Sequence, residues 1–203
     1  MGRRGAWLLI LALTATVVIV LVLALGLGRR RMGFGVHTIR ADAESLALVK
    51  EAGADWVVQL FSWREIARWR GQYNWDYPDA VVRGAEFHGL KLAIRLDQHP
   101  AWARTAPAAN GPPDDLNDYG DFVEAVARRY RGRIRAYIIW NEPNLAREWG
   151  GGRPDPAGYV EMLKVAYARA KAADPHCLVV SAGLAPTNHQ DDQALDDRLY
   201  LEA

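Results

Sequence analysis

Apolar and polar positions fall into two regimes along the chain. Across 5–28 no position is charged and nearly all are Leu, Val, Ile, Ala or Trp, a run long enough to cross a bilayer as a helix. From Met32 onward, short apolar runs alternate with segments whose apolar residues recur at helical spacing. The pattern predicts strands over 33–36, 56–61, 91–96, 134–140 and 177–181. It predicts helices over 45–52, 78–88 and 117–131, from 156 to the break at Asp174-Pro175, and over 195–202. The punctuation agrees. Asp42 suits an N-cap, Gly53, Gly89 and Gly132 suit helix stops, and Pro156 suits a first helical position.

Strands alternating with helices at this spacing imply βαβ units and a parallel sheet. Each helix-to-strand link is short. The links that follow the second, third and fourth strands are long and rich in Trp, Pro, Asn and Asp. Elaboration on the carboxyl side of the strands alone is how functional loops sit on a barrel or a doubly wound sheet. A dinucleotide site is disfavoured, because Gly33-Phe34-Gly35-Val36-His37-Thr38 lacks a third glycine and runs on polar. A complete barrel has eight units over about 250 residues. The expectation is therefore an α/β fold: part of a (β/α)8 barrel, about five of the eight strands, preceded by one transmembrane helix. Residues 1–31 form the anchor or signal segment and 32–203 the barrel part, which would need the missing C-terminal half as a partner.

Composition narrows the function. Of the 25 Lys and Arg, Arg3, Arg4, Arg29, Arg30 and Arg31 flank the apolar run, and all 24 acidic residues lie after it. The 32–203 part thus carries 20 basic against 24 acidic residues, a net charge of −4. Phosphate binding needs a basic surface, so nucleic acid is excluded as a partner. The single Cys177 can form no internal disulfide and anchors no metal cluster; no metal or cofactor is expected. The membrane is a partner through 6–28. Arginines on both sides of that run leave its orientation undecided, and an uncleaved anchor and a cleaved signal peptide both stay open.

The chemistry concentrates at Ile138-Ile139-Trp140-Asn141-Glu142-Pro143-Asn144. Pro143 cannot donate to a sheet ladder and biases the residue before it towards an extended backbone, so Glu142 falls where the fourth strand opens into a loop. A carboxylate at the C-terminal tip of a buried strand is where α/β barrels keep their chemistry. The preceding apolar residues suit a general acid, whose proton is held by burial. Asn141 can hydrogen-bond a sugar hydroxyl.

Trp140-Asn141-Glu142-Pro143-Asn144 resembles the acid/base motif of clan A, the retaining (β/α)8 glycoside hydrolases, closest in look to the β-xylosidase/α-iduronidase and cellulase families. Phe61-Ser62-Trp63-Arg64-Glu65-Ile66 with Gly71-Gln72-Tyr73-Asn74-Trp75-Asp76 resembles the clan's second loop. Leu96-Asp97-Gln98-His99-Pro100-Ala101-Trp102 resembles its third. The resemblance implies hydrolysis of O-glycosidic bonds in an oligo- or polysaccharide. It makes Glu142 the acid/base, Asn141 its substrate-binding neighbour, and a second Glu on a seventh strand the nucleophile. Glu148, Glu161 and Glu202 do not fit that second role. Candidate substrate contacts also include His37, Trp63, Asp97, His99, Trp102 and Trp140, each with a packing or turn role as the alternative. Trp149 is a further rim candidate. Trp56, Trp69 and Trp75 are assigned to packing; Arg147 and Arg153, near the site, are read as solvated loop charges, with contact to an acidic sugar as the alternative. An enzyme of this kind acts on external polymers, which places 32–203 outside the cytoplasm, membrane-anchored or exported. The competing reading is a non-catalytic carbohydrate-binding or vestigial half-barrel.

Overall fold

A computed structural model describes residues 33–106 and 109–203. In chain order they form β1 (Gly35–His37), α1 (Ala43–Glu51), β2 (Trp56–Ser62), α2 (Trp63–Ile66), α3 (Asp76–Phe87), β3 (Lys91–Asp97), a 3-10 turn at Ala101–Ala103, α4 (Leu116–Arg129), β4 (Ala136–Ile139), a second 3-10 turn at Ala146–Glu148, α5 (Pro156–Ala173), β5 (Leu178–Ser181) and α6 (Asp197–Glu202). The five strands make one parallel sheet in the order β1-β2-β3-β4-β5. Each strand neighbours the next in sequence, as in the first five units of a (β/α)8 barrel. The apolar run over 5–28 lies outside the described residues. Among the described residues no helix is long and apolar enough to cross a membrane.

The local signals act as expected. Asp42 caps α1 in a reciprocal box with Ser45, each side chain accepting the other's backbone N–H at 2.8 Å. Pro156 opens α5, where its missing N–H is not needed. The helices α1, α3 and α4 run out just before Gly53, Gly89 and Gly132, all with left-handed backbone. Two features were not expected. The short α2 follows β2 directly. And β4 ends at Ile139, short of the predicted Trp140, because Trp140 leaves the extended region at φ 72°.

The strands are two-sided. Val57, Phe61, Leu92, Ile94, Leu96, Tyr137 and Ile139 turn one way and are buried in the core with Val81, Val82, Phe122, Val126 and Met162 of the helices. The other face would be a barrel's interior. It carries two registered rows, Val58-Ala93-Ala136-Leu178 and Leu60-Arg95-Ile138-Val180. Leu178 and Val180 are 57% and 40% exposed there. The edges of the described sheet are β1 and β5.

Candidate active site

The carboxyl ends of β3 and β4 hold most of the residues that the sequence singled out. They also hold all the non-glycine residues with left-handed backbone among those described: Gln98 (φ 69°), Trp140 (φ 72°) and Glu142 (φ 39°). A bulky side chain in that region costs about 1–3 kcal/mol and persists only where surrounding contacts impose it. Here the contacts are visible. Trp140 N–H donates to the Leu96 carbonyl (3.0 Å), and its Nε1 to the Glu148 carbonyl (2.8 Å). Glu142 N–H reaches the Gly183 carbonyl (3.1 Å), while its own carbonyl accepts from Leu145 N–H (3.0 Å). Glu142 is therefore a turn residue. The extended backbone expected before Pro143 gives way to a tertiary hydrogen bond and a tight turn.

Asn141 and Glu142 are both partly exposed at this rim. Arg95, on the inner face of β3, donates from Nη1 to Asn141 Oδ1 (2.9 Å). A guanidinium only donates, so this contact fixes which end of the amide points inward. The Asn141 NH2 has no partner among the described residues. Arg95 Nε lies 3.5 Å from Asp97 Oδ2, and Asn110 Nδ2 bridges Asp97 Oδ1 (2.8 Å) and Glu148 Oε2 (2.7 Å). Arg147 completes the chain. Its Nη2 pairs with Glu142 Oε2 (2.8 Å), and its Nε lies 3.9 Å from Glu148 Oε1. One polar network thus runs Asn141-Arg95-Asp97-Asn110-Glu148-Arg147-Glu142. Three buried polar atoms at or just below the rim find no hydrogen bond among the described residues: Ser62 Oγ, Arg95 Nε and Asn110 Oδ1. Buried polar atoms without partners are uncommon.

The other predicted residues divide. Asp97 is buried, and burial pushes its carboxyl above the usual range despite Asn110, Arg95 and the Gln98 N–H. His99 is buried and accepts from Gly111 N–H at Nδ1 (3.2 Å), so the proton sits on Nε2; burial holds the imidazole below its usual range. His37 is exposed at the end of β1 and held low by partial burial and by the Arg95 charge. Trp63 and Trp140, expected at the substrate face, are fully buried. Trp63 stacks on Phe122 (5.5 Å between ring centres), and Trp140 packs edge-on to Tyr119 (5.8 Å). Neither offers a face to a ligand, because the chain turns inward directly after each strand. Trp102 is half-buried, tied through Nε1 to the Ala67 carbonyl (2.8 Å) and covered by the Arg70 guanidinium (4.7 Å). Trp149 is buried, Trp75 packs on Tyr73 and Tyr130, and Trp69, assigned to packing, is 64% exposed.

The apolar enclosure expected for Glu142 is not formed. Ile139 and Trp140 point into the helix-side core, and the Glu142 side chain is 30% exposed beside Arg147. Arg147, read as a solvated loop charge, pairs with Glu142, and Arg95 and Asn110 were not anticipated as parts of the site. Nor was Asn144, whose buried side chain ties the β4 loop to Ala185 and Leu195 through three hydrogen bonds of 2.9–3.0 Å. Among the described residues no group of three His, Cys, Asp or Glu is placed to hold a metal.

The loops after β3 and β4 meet backbone to backbone. Gly150 N–H donates to the Asn110 carbonyl (2.6 Å), and a Cβ on Gly111 would sit 2.6 Å from Gly150 Cα and N. Neither backbone can yield without moving the Asn110 bridge. Gly111→Ala should destabilise the fold by about 1–3 kcal/mol; a thermal melt checks this.

No family model matches the chain. Endo-1,4-beta-xylanase 3 of Hypocrea jecorina is 28% identical over 120 residues, 56% of this chain and 33% of the xylanase. The matched segment thus spans about a third of that curated relative. Among solved structures, a family 39 glycoside hydrolase from Bacteroides cellulosilyticus WH2 superposes with a TM-score of 0.62 at 21% identity, covering 74% of this chain and 32% of that one. A glucosidase from Croceicoccus marinus gives 0.60 at 20% identity, covering 79% and 39%. Motif and fold agree: the described residues are built like the N-terminal part of a clan A (β/α)8 glycoside hydrolase.

Proposed function

We propose that this chain supplies the acid/base half of a retaining glycosidase site, with Glu142 as acid/base and Asn141 as its sugar-binding neighbour. The observation that carries the reading is the Asn141-Glu142 pair itself. It is presented at the carboxyl end of β4 on a strained backbone, with the Asn141 carbonyl engaged by Arg95 and its NH2 left to donate. In the first step Glu142 protonates the departing glycosidic oxygen while a second carboxylate attacks the anomeric carbon. In the second step Glu142 takes a proton from water, which releases the sugar. Arg147 is 70% exposed, and so exposed an ion pair is worth about 0–1 kcal/mol, so an incoming sugar can displace it from Glu142 at little cost.

Glu148 and Asp97 do not serve as the second carboxylate. Both are committed to Asn110, Glu148 from the loop after β4 and Asp97 from the end of β3. The clan resemblance puts the nucleophile on a seventh strand, outside these five. The substrate class is a neutral oligo- or polysaccharide. The 5–28 run is proposed as the anchor or export signal that brings the site to external polymers. A non-catalytic carbohydrate-binding half-barrel is the second reading, favoured by the commitment of both neighbouring carboxylates.

The test is stereochemical. The protein carrying the complete barrel is mixed with a β-linked xylo-oligosaccharide in D2O and the first anomer formed is read by proton NMR. Initial β-product, mutarotating later, is expected. Initial α-product, or no hydrolysis of any β-linked oligosaccharide, sinks the reading.

A further inference from the structure

An exposed tryptophan stands away from the network above. Trp69 lies in the β2 loop at the head of a tight turn. Gln72 N–H closes that turn on the Trp69 carbonyl (3.1 Å), and Gly71 holds it with φ 74°. Asn74 N–H, bonded to the Ile66 carbonyl (2.7 Å), fastens the turn to α2. The indole is thus 64% exposed on a braced support. Beside it lies an open cavity of about 310 Å³ lined by Trp69, Glu65, Arg68, Gln72 and Asn74. A second cavity, of about 460 Å³, shares Glu65, Arg68 and Asn74 with the first and reaches Ser62. Ser62 is in register with Asp97 at the ends of β2 and β3. Together the two cavities form a groove that leads from the candidate rim outward to Trp69.

Its chemistry selects the ligand. A pyranose has an apolar C–H face and an equatorial ring of hydroxyls, and so wants one aromatic plane flanked by amide, carboxylate and guanidinium groups. The groove offers that set. A protein partner would need about 800 Å² of surface with an apolar centre, whereas Glu65, Arg68, Gln72 and Asn74 outnumber Ile66 and Tyr73 in the cavity around this indole. The charged side chains lining the two cavities balance, Arg40 and Arg68 against Glu65 and Asp76, and Arg40 pairs with Glu65 (2.9 Å), so a neutral sugar fits better than a charged one.

We infer that Trp69 is the stacking platform of a distal subsite for a neutral oligosaccharide whose chain runs along this groove from the β2 end of the rim. The inference rests on the carbohydrate reading of the rim, yet its test needs no turnover. The full chain, in mild detergent, is titrated with xylohexaose, cellohexaose and mannohexaose while the indole N–H resonances and the intrinsic fluorescence are followed. At least one hexasaccharide should shift the Trp69 indole resonance. Trp69→Ala should weaken its binding about tenfold with the melting temperature unchanged. The weakening should persist in an Asn141→Ala background, which separates the platform from the rim. Equal affinity in Trp69→Ala, or no binding of any of the three sugars, overturns the inference. Trp69-dependent binding by the full chain alongside normal turnover of Glu142→Gln in the complete barrel would instead remove the acid/base role and leave the platform standing.

Discussion

In the complete barrel, Glu142→Gln should lower kcat/KM on natural glycosides by about 10³-fold, the middle of the range for a general acid–base group. The reason lies in the leaving group. A sugar alkoxide is a poor leaving group and needs a proton as the bond breaks, and glutamine has none to give. An aryl glycoside with an acidic phenol departs unaided, so its first step should fall far less. Its second step still lacks a base, and the covalent intermediate should accumulate with a lower KM. The surroundings let the exchange be read cleanly. Glu142 is partly exposed and its only charged contact among the described residues is Arg147, so Gln replaces it without emptying a core site. Steady-state kinetics on both substrate types check the split. Equal losses on both would point to a structural defect instead.

The next largest effect is expected at Arg95. Arg95→Met keeps the length of the side chain and removes every donor. Asn141 Oδ1 then loses its 2.9 Å partner and Asp97 its nearest cation. Hydrogen bonds to charged groups contribute about 1.5–3 kcal/mol each, which predicts a fall of about 10–100-fold in kcat/KM. Arg95 acts through Asn141, so a double-mutant cycle separates positioning from general damage. Placed in Asn141→Ala, the Arg95→Met change should add little. A substrate lacking the hydroxyl that Asn141 binds should likewise be insensitive to Arg95→Met. Additive losses in the cycle would contradict a role exerted through Asn141.

Much of this arrangement could be read from the chain. The five strands are apolar runs bounded by glycines and capping residues, and the helix starts at Asp42 and Pro156 needed only local chemistry. Glu142 at a strand tip followed from the same signals. What escaped depends on contacts distant in sequence. Pro143 argues for an extended Glu142, but the bond to the Gly183 carbonyl, 41 residues away, decides otherwise. The tryptophans were misplaced in both directions. Trp63 and Trp140 end up inside because the chain turns inward after each strand, while Trp69 ends up outside because a glycine turn projects it. One hint was available for Arg95. A charge inside an otherwise apolar strand, two residues before Asp97, shares its face and needs a partner. The bridge through Asn110 had no such sign, since it depends on how two loops pack.

The central claim is that Glu142 is the acid/base of a double-displacement site. Sodium azide tests it most directly in Glu142→Ala of the complete barrel, acting on an aryl β-glycoside. The small anion fits the space left by the side chain and attacks the covalent intermediate without needing a base. The account predicts that azide restores turnover and that the product is the β-glycosyl azide, with the configuration of the substrate. No acceleration by azide, or an α-glycosyl azide, would contradict it.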